Sequence, residues 1–347
     1  GSYSMSKVTY IFSWLSLLFL IPLFVACENK SVNKAETVEK KVFDHPDFDY
    51  DETSGDLNAD ILSAKSEPKY NPEDSKNFQL VEKEQLESAV SFCEKSLAKV
   101  PNPMKASEIK KLCQTVSLEK SCYSNENAPI FHYDRKGYSS RGKRILTISL
   151  IHGDEHASGT VATHWMNRLE GLNPRNAWRV IPVVNPDGWA KNSRVNAREV
   201  DINRNFPSND WDKLALEWWK TKKNSDPRRY PGPSASSEPE TRCLIKHINE
   251  FKPDFIIAVH TPLGVLDFDG PHVKAPNGAP LPWQRLGNFP GSLGRYMWVD
   301  HNVPVLTIEL RGSDGLKKLA QFDHLQDISG SVAIQAGRAL NKTKNKN

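Results

Sequence analysis

The chain has 347 residues, 38% hydrophobic and 25% charged, with a formal net charge of +4. This is ordinary globular composition, long enough for one large domain plus extra segments. The small charge excess leaves no electrostatic footprint for nucleic acid, so no nucleic-acid partner is expected.

Residues 1–4 precede Met5 and read as an expression scar or an upstream start. Lys7 then leads into VTYIFSWLSLLFLIPLFVA (8–26), an apolar core with a small residue before Cys27, which is the pattern of a secretory signal. The same run is just long enough to span a bilayer as an anchor. LFVAC (23–27) resembles the lipobox of bacterial lipoproteins, with Phe24 where Leu is commoner. That resemblance implies a signal peptide over 5–26 and acylation of Cys27. Glu28 is not the Asp that commonly signals inner-membrane retention, so the implied location is the outer membrane, facing the periplasm. Two or more acyl chains, at about 0.8 kcal/mol per buried CH2, would make this attachment durable.

Over 27–78 acidic residues outnumber lysines nearly two to one and apolar periodicity is weak, which reads as a flexible acidic tether. FDHPDFDYDE (43–52) within it could serve as a docking motif. From about 79 the pattern turns helical, with Val81, Leu86, Val90, Cys93 and Leu97 near helical spacing. PNP (101–103) interrupts it and ASEIKKLCQTVSL resumes, predicting a small helical hairpin over 79–125. Besides Cys27 the chain has Cys93, Cys113, Cys122 and Cys243. Export permits disulfides, and four cysteines allow three pairings. Cys93 and Cys113 flank the hairpin and are the preferred pair, with buried free thiols as the alternative.

From about 126 apolar runs alternate with helical stretches. Strands are predicted at 129–134, 144–151, 178–184, 254–260 and 303–310. Helices are predicted at 156–170, 212–223, 237–251, 292–301 and 315–340. Near-continuous Ile/Val/Leu strands separated by helices predict an α/β fold: a single mixed, mostly parallel twisted sheet with helices on both faces. The domain would span 126–341, leaving 342–347 as a disordered tail. Active groups are then expected where the strands end.

Three strand ends carry such groups. SLIHGDEHASG (149–159) places His152 and Glu155 just past one strand, His260 closes a second, and Glu309 sits near the end of a third. An imidazole and a carboxylate in an H-x-x-E turn, joined by a distant imidazole, make a three-ligand zinc site with an open position. His156 offers a competing i,i+4 pair with His152, but Gly153 stands where that pattern needs Glu, so His156 reads as a supporting or helix-start residue. Asp154 reads either as an orienter of a ligand imidazole or as a turn residue. VNPDGW (184–189) predicts a tight turn, and SRVNAREVDINRNFP (193–207) places Arg194, Asn203 and Arg204 in a loop. A guanidinium binds carboxylates bidentately, and near zinc it can stabilise a developing oxyanion.

The order H-x-x-E, NPDG, R-x-N, VDINRNF, strand-end His and T-x-E-L resembles that of the zinc carboxypeptidases of the carboxypeptidase A type. The phrases HGDE (152–155), VNPDG (184–188), RVNAREVDINRNFPSNDW (194–211), SEPET (237–241), VHTPLGVLDFD (259–269), PGSLG (290–294) and TIEL (307–310) are most similar to those of its short murein peptide amidase branch. The resemblance covers about 126–341 and implies a zinc carboxypeptidase-like fold with one zinc ion held by His152, Glu155 and His260. It further implies Glu309 as the general base toward a zinc-activated water and Arg194 as the carbonyl-polarising arginine. Asn203 and Arg204 match the pair that binds a terminal carboxylate. Two departures stand out. The loop before Arg194 is much shorter than in pancreatic-type enzymes, and their active-site tyrosine has no clear match, leaving Tyr296 as a candidate by proximity.

The implied reaction is hydrolysis of the γ-D-glutamyl–meso-diaminopimelate amide in peptidoglycan stem peptides, by a monomer anchored through lipid on Cys27. Diaminopimelate keeps an ammonium and a second carboxylate on its side chain, so its pocket needs charges of both signs. Asp267 is the candidate for the ammonium, or else it only orients its strand. Alternatives are an N-acyl-amino-acid deacylase of the aspartoacylase or succinylglutamate desuccinylase type, another zinc carboxypeptidase, or a non-catalytic wall-binding lipoprotein.

Overall fold

Six consecutive residues, Phe255–His260, are all buried, which requires cover on both sides of the sheet they belong to. The computed structural model describes residues 83–312 and 319–344. The expected signal peptide, Cys27 and the acidic tether lie outside the described residues, as do 345–347.

Helices α1 (Lys83–Leu97) and α2 (Ala106–Cys113) come first, followed by strands β1 (Ser117–Tyr123), β2 (Pro129–Arg135) and β3 (Arg144–Ser149). Helix α3 (His156–Glu170), strand β4 (Ala177–Ile181) and the short helix α4 (Pro186–Lys191) follow. Helices α5 (Trp211–Lys222) and α6 (Pro239–Phe251) then lead to β5 (Phe255–His260) and β6 (Leu263–Asp269). A π-helical turn at Arg295–Asp300, β7 (Val305–Arg311) and α7 (Leu319–Lys344) complete the order. The last helix therefore runs past the expected start of the tail at 342.

The seven strands form one sheet in the order β1-β2-β4-β3-β5-β7-β6. The central strands β4, β3, β5 and β7 are parallel, whereas β1, β2 and β6 join by antiparallel pairings at the two margins. This is the mixed sheet expected, with its parallel part confined to the centre. The π-helical turn replaces the regular helix predicted at 292–301.

Two strands have no counterpart in the predicted set. In β1 only Leu118 and Cys122 are buried, too few apolar positions to show a period of two. In β6 the acidic Asp267 and Asp269 interrupt the apolar pattern and Gly264 adopts a positive φ of 72°.

The helical hairpin shares its core with the sheet: Cys93, Leu97, Ile109 and Leu112 belong to the same apolar cluster as Ile130 and Phe131. A Cys93–Cys113 disulfide closes it, as preferred from the sequence. A second disulfide, Cys122–Cys243, staples β1 to α6 across a separation of 121 residues. In the chain-entropy account a closed loop of that length is worth about 4–5 kcal/mol, against about 3 kcal/mol for the Cys93–Cys113 loop. The double variant Cys122→Ala/Cys243→Ala is therefore expected to lower Tm by roughly 10 °C or more. Calorimetry should show a smaller loss for Cys93→Ala/Cys113→Ala, and the reverse ranking would contradict the loop-length argument.

Candidate active site

Parallel pairing of β5 with β7 sets His260 directly beside Glu309. On the other side of β5, strand β3 ends at Ser149, and the chain swings through Leu150 with a φ of 48°, a left-handed conformation unusual for a bulky residue. The Leu150 amide donates to Ser158 Oγ (3.1 Å), and that hydroxyl donates to the Glu155 carbonyl (2.7 Å), so the first turn of α3 pins the swing. His152 lies in this turn and Glu155 at the N-cap of α3.

The NPDG segment is a short helix rather than only a tight turn. Asn185 caps it by accepting from the Gly188 amide (2.9 Å) and donates to the carbonyls of Ile151 and Arg194 (3.4 and 3.3 Å). One amide side chain thus fastens the His152 turn to the Arg194 loop. Gly153 lies on this helix so closely that a Cβ there would stand 2.0 Å from the Gly188 carbonyl carbon, so no larger residue fits.

The ligand atoms of His152, Glu155 and His260 lie within 4.8 Å of one another. Both imidazoles turn Nδ1 to the same carboxylate, His152 at 2.7 Å from Glu155 Oε1 and His260 at 2.9 Å from Oε2. Asp201, fully buried, takes the other end of His152, with Oδ1 3.1 Å from Nε2. A carboxylate on one imidazole nitrogen fixes the tautomer and aims the lone pair of the other. Two imidazoles and one carboxylate are the donor set of a three-ligand zinc site, so these residues fit the ion.

Two other donor groups among the described residues share His247. There the cysteines are already joined, and the Arg179 guanidinium stands 3.2 Å from His247 Nδ1, which disfavours a cation.

Asp201 also binds Arg194, which reaches its Oδ2 with Nε at 3.1 Å and Nη2 at 3.0 Å. Burial opposes the Asp201 charge, but Arg194 and His152 outweigh it and hold the carboxyl well below its usual range. Glu155 is likewise lowered against its burial by His152 and His260. Glu309 behaves oppositely: burial, reinforced by the Glu155 charge, pushes it up to about 8.

The cavity in front of these groups is lined by Arg194, Asn203, Arg204, Asp267 and Glu309, all expected from sequence. The Arg204 guanidinium lies over Phe289, 4.9 Å from the ring centroid. Asn203 Oδ1 accepts from the Leu293 amide (2.9 Å) and holds the PGSLG loop against this segment. At Gly291 in that loop, φ is 77° and a Cβ would stand 2.0 Å from the Arg204 carbonyl oxygen. Asp267 is accompanied by Asp269, two residues on along β6 and also lining the cavity. Burial, then the Asp269 charge, pushes Asp267 well above the usual carboxylate range, and burial raises Asp269 to about 6.

One sequence reading, that of Tyr296, changes, and the alternatives left open for Asp154 and His156 resolve. Tyr296 is not among the cavity residues; it stacks on Phe206 at 5.8 Å and packs edge-on to His301, as a core aromatic. Asp154 turns away from the imidazoles to pair with Arg228 at 2.9 Å, and Asp201 takes the orienting place. His156 opens α3 and packs edge-on against Trp189. Asp269 and the cavity-lining Arg229 are additions that the sequence reading missed. The signal for Asp201 was present, a lone carboxylate in VDINRNF. Replacing Asp201 with Asn removes the charge shared by His152 and Arg194, and the affinity for zinc should fall roughly 10- to 100-fold. Competition with a chromogenic chelator measures this, and an unchanged affinity would remove Asp201 from the site's support.

Residues 106–266 match the model of the zinc carboxypeptidase family. Murein peptide amidase A of Escherichia coli strain K12 is 32% identical over 124 residues, 35% of this chain and 50% of that protein. The chain thus spans about half the length of this relative. Murein peptide amidase A of Vibrio campbellii is 29% identical over 191 residues, 53% of this chain and 75% of that protein. Bovine thrombin-activatable fibrinolysis inhibitor, solved in complex with tick carboxypeptidase inhibitor, is similar in fold at 16% identity. Its TM-score is 0.51, and the match covers 76% of this chain and 98% of that one. His152, Glu155 and His260 all lie within the residues that match the zinc carboxypeptidase family, and the fold brings their donor atoms together there.

Proposed function

We propose that this protein is a zinc-dependent peptidase that hydrolyses peptidoglycan stem peptides at the γ-D-glutamyl–meso-diaminopimelate amide. The observation that carries the reading is one cavity in which a His/Glu/His donor set, a raised carboxyl in register with one of those histidines, and wall groups of both charges converge. The similarity to proteins named murein peptide amidase A supports the choice of substrate.

His152, Glu155 and His260 would hold the zinc ion. When bound, the ion supplies Lewis acidity toward a carbonyl oxygen and makes water a stronger acid. Glu309 takes the proton from the attacking water and returns it to the leaving amine. Burial raises the proton affinity of Glu309, which makes its ionised form a stronger base toward the water. Arg194, held rigid by Asp201, faces the oxygen on which negative charge develops. Arg204 and Asn203 bind the carboxylate of the departing residue. Asp267, with Asp269 beside it, receives the ammonium of the diaminopimelate side chain. Attachment through Cys27 to the outer membrane, facing the periplasm, would set this cavity among released muropeptides and the wall itself.

Glu309→Gln should keep zinc but lose roughly 100- to 10,000-fold in kcat, the range for a lost general base. The substrate assignment is checked by incubating the zinc-loaded protein with γ-D-Glu–diaminopimelate tripeptide and tetrapeptide and weighing the products. Free diaminopimelate from the tripeptide is expected. D-Ala released alone would redirect the specificity, and intact peptides would overturn the enzymatic reading. Asp267→Asn should cost roughly 10- to 100-fold in kcat/KM on the diaminopimelate peptide. Peptides whose side chain lacks the ammonium should be cut by this variant as by the wild type, and a parallel loss on both would sink the role of Asp267.

A further inference from the structure

The cavity descends along one face of the sheet in rungs set by the strand register. His260 and Glu309 stand on one rung, with Val265 across from Glu309 on β6. The next rung holds Ala258, Thr307 and Asp267, and the one after it pairs Val305 with Asp269. Strand residues two apart point to the same side, so Glu309, Thr307 and Val305 share the face that lines the cavity. Ala258 and Thr307 are small, which leaves room along the floor past the donor residues. At about 3.3 Å per residue, Asp267 lies roughly 7 Å and Asp269 roughly 13 Å along the sheet from the Glu309 rung.

One short segment fastens both acids. Leu286, Gly287 and Asn288 line the cavity, and Gly287 turns the chain there with a φ of 82°. Backbone hydrogen bonds from Leu286 and Phe268 reach Asp267, while Asn288 Nδ2 donates to Asp269 Oδ1 at 3.1 Å. Arg295 Nη1 donates to Asn288 Oδ1 at 3.4 Å, which fixes the end of the amide that faces the acid. On its other side Asp269 Oδ2 lies against Gly294, where a Cβ would stand only 2.3 Å away. Asp269 is therefore held in place, and a carboxylate that accepts one amide N–H keeps further acceptor positions.

The spacing of the rungs can be compared with the substrate. Six bonds separate the leaving nitrogen from an ammonium on the ε-carbon of the departing residue, and at about 1.5 Å each, staggered, they span roughly 7–8 Å. An ammonium at that reach passes Asp267 and stops between the two acids. One methylene less would leave it beside Asp267 alone. Building on the peptidase reading above, we infer that Asp267 and Asp269 hold the side-chain ammonium jointly, and that Asn288, by fixing Asp269, is the positioning residue that sets the side-chain length the cavity accepts. An ammonium has three donors, enough to serve both carboxylates at once.

The test uses the zinc-loaded full chain and L-Ala–γ-D-Glu–X peptides in which X is diaminopimelate, lysine, ornithine or norleucine. Lysine carries its ammonium at the same reach as diaminopimelate, ornithine carries it one methylene short, and norleucine has none. Wild type should prefer lysine to ornithine by roughly 10-fold or more in kcat/KM, the range for a charged hydrogen-bond partner. In Asp269→Asn this ratio should fall to one or below, with lysine still preferred to norleucine through Asp267. Asn288→Ala should lower the same ratio through KM rather than kcat, whereas a merely structural role would depress all four peptides alike. An unchanged ratio in Asn288→Ala removes its positioning role, and an unchanged ratio in Asp269→Asn, or equal losses on every peptide, overturns the proposal as a whole. If Asp269→Asn does not fold, Asn288→Ala decides by the same ratio. Three failures show in wild type before any variant is made. Cleavage of none of the peptides would defeat the peptidase reading, and equal cleavage of norleucine and lysine would defeat the ammonium pocket. Equal cleavage of lysine and ornithine, both above norleucine, would defeat the length gauge alone.

Discussion

Asp201 contributes two oxygens, and the site hangs from both. One fixes the His152 ring and the other holds Arg194, while the Asn203 amide also donates to Oδ1 at 3.0 Å. A fully buried carboxylate survives only when its neighbours compensate the lost hydration. Here the compensation comes from the His152 turn and from Arg194 and Asn203 in the 193–207 loop, which must assemble together or leave a charge stranded. The metal-ligand turn, the arginine loop and the carboxylate-binding residues are therefore positioned by one electrostatic requirement.

The sheet supplies the frame on which that requirement can be met. Parallel strands β3, β5 and β7 end at the same edge, so residues far apart in the chain arrive as neighbours without long, flexible side chains. The two signs of charge are also kept apart. Arg204 rests against aromatic rings that exclude water from its face. Burial raises the proton affinity of the acidic pair on β6, and an arriving ammonium would favour its ionised form.

Much of this was legible before any coordinates, because strands with a covered parallel centre show long apolar runs and His152, His260 and Glu309 stand where those runs stop. The bounds of α3 match their prediction, since His156–Glu170 is a long periodic segment. What escaped has physical reasons. Strand β1 buries only two side chains and looks like a polar connection. Strand β6 places acids at inward positions, which mimics a loop. Cys122 and Cys243 carry no spacing signal, because a disulfide between a strand and a helix depends on the tertiary fold. Tyr296 was suggested by nearness in sequence, and nearness along a chain says little about which way a ring faces. Arg229 sits in a proline-bounded turn with a second arginine beside it, and nothing local distinguishes the one that turns inward.

The contact of Gly153 with the Gly188 backbone has an evolutionary corollary. Where two main chains touch, neither partner has a side chain left to shorten, so a bulkier residue at one position cannot be rescued by trimming the other. The HGDE and NPDG phrases, more than thirty residues apart in the chain, form a single mutational target. A Cβ at Gly188 would in turn stand 2.4 Å from the Asn185 side-chain nitrogen and 2.6 Å from the Val195 carbonyl oxygen, so packing holds both positions to glycine.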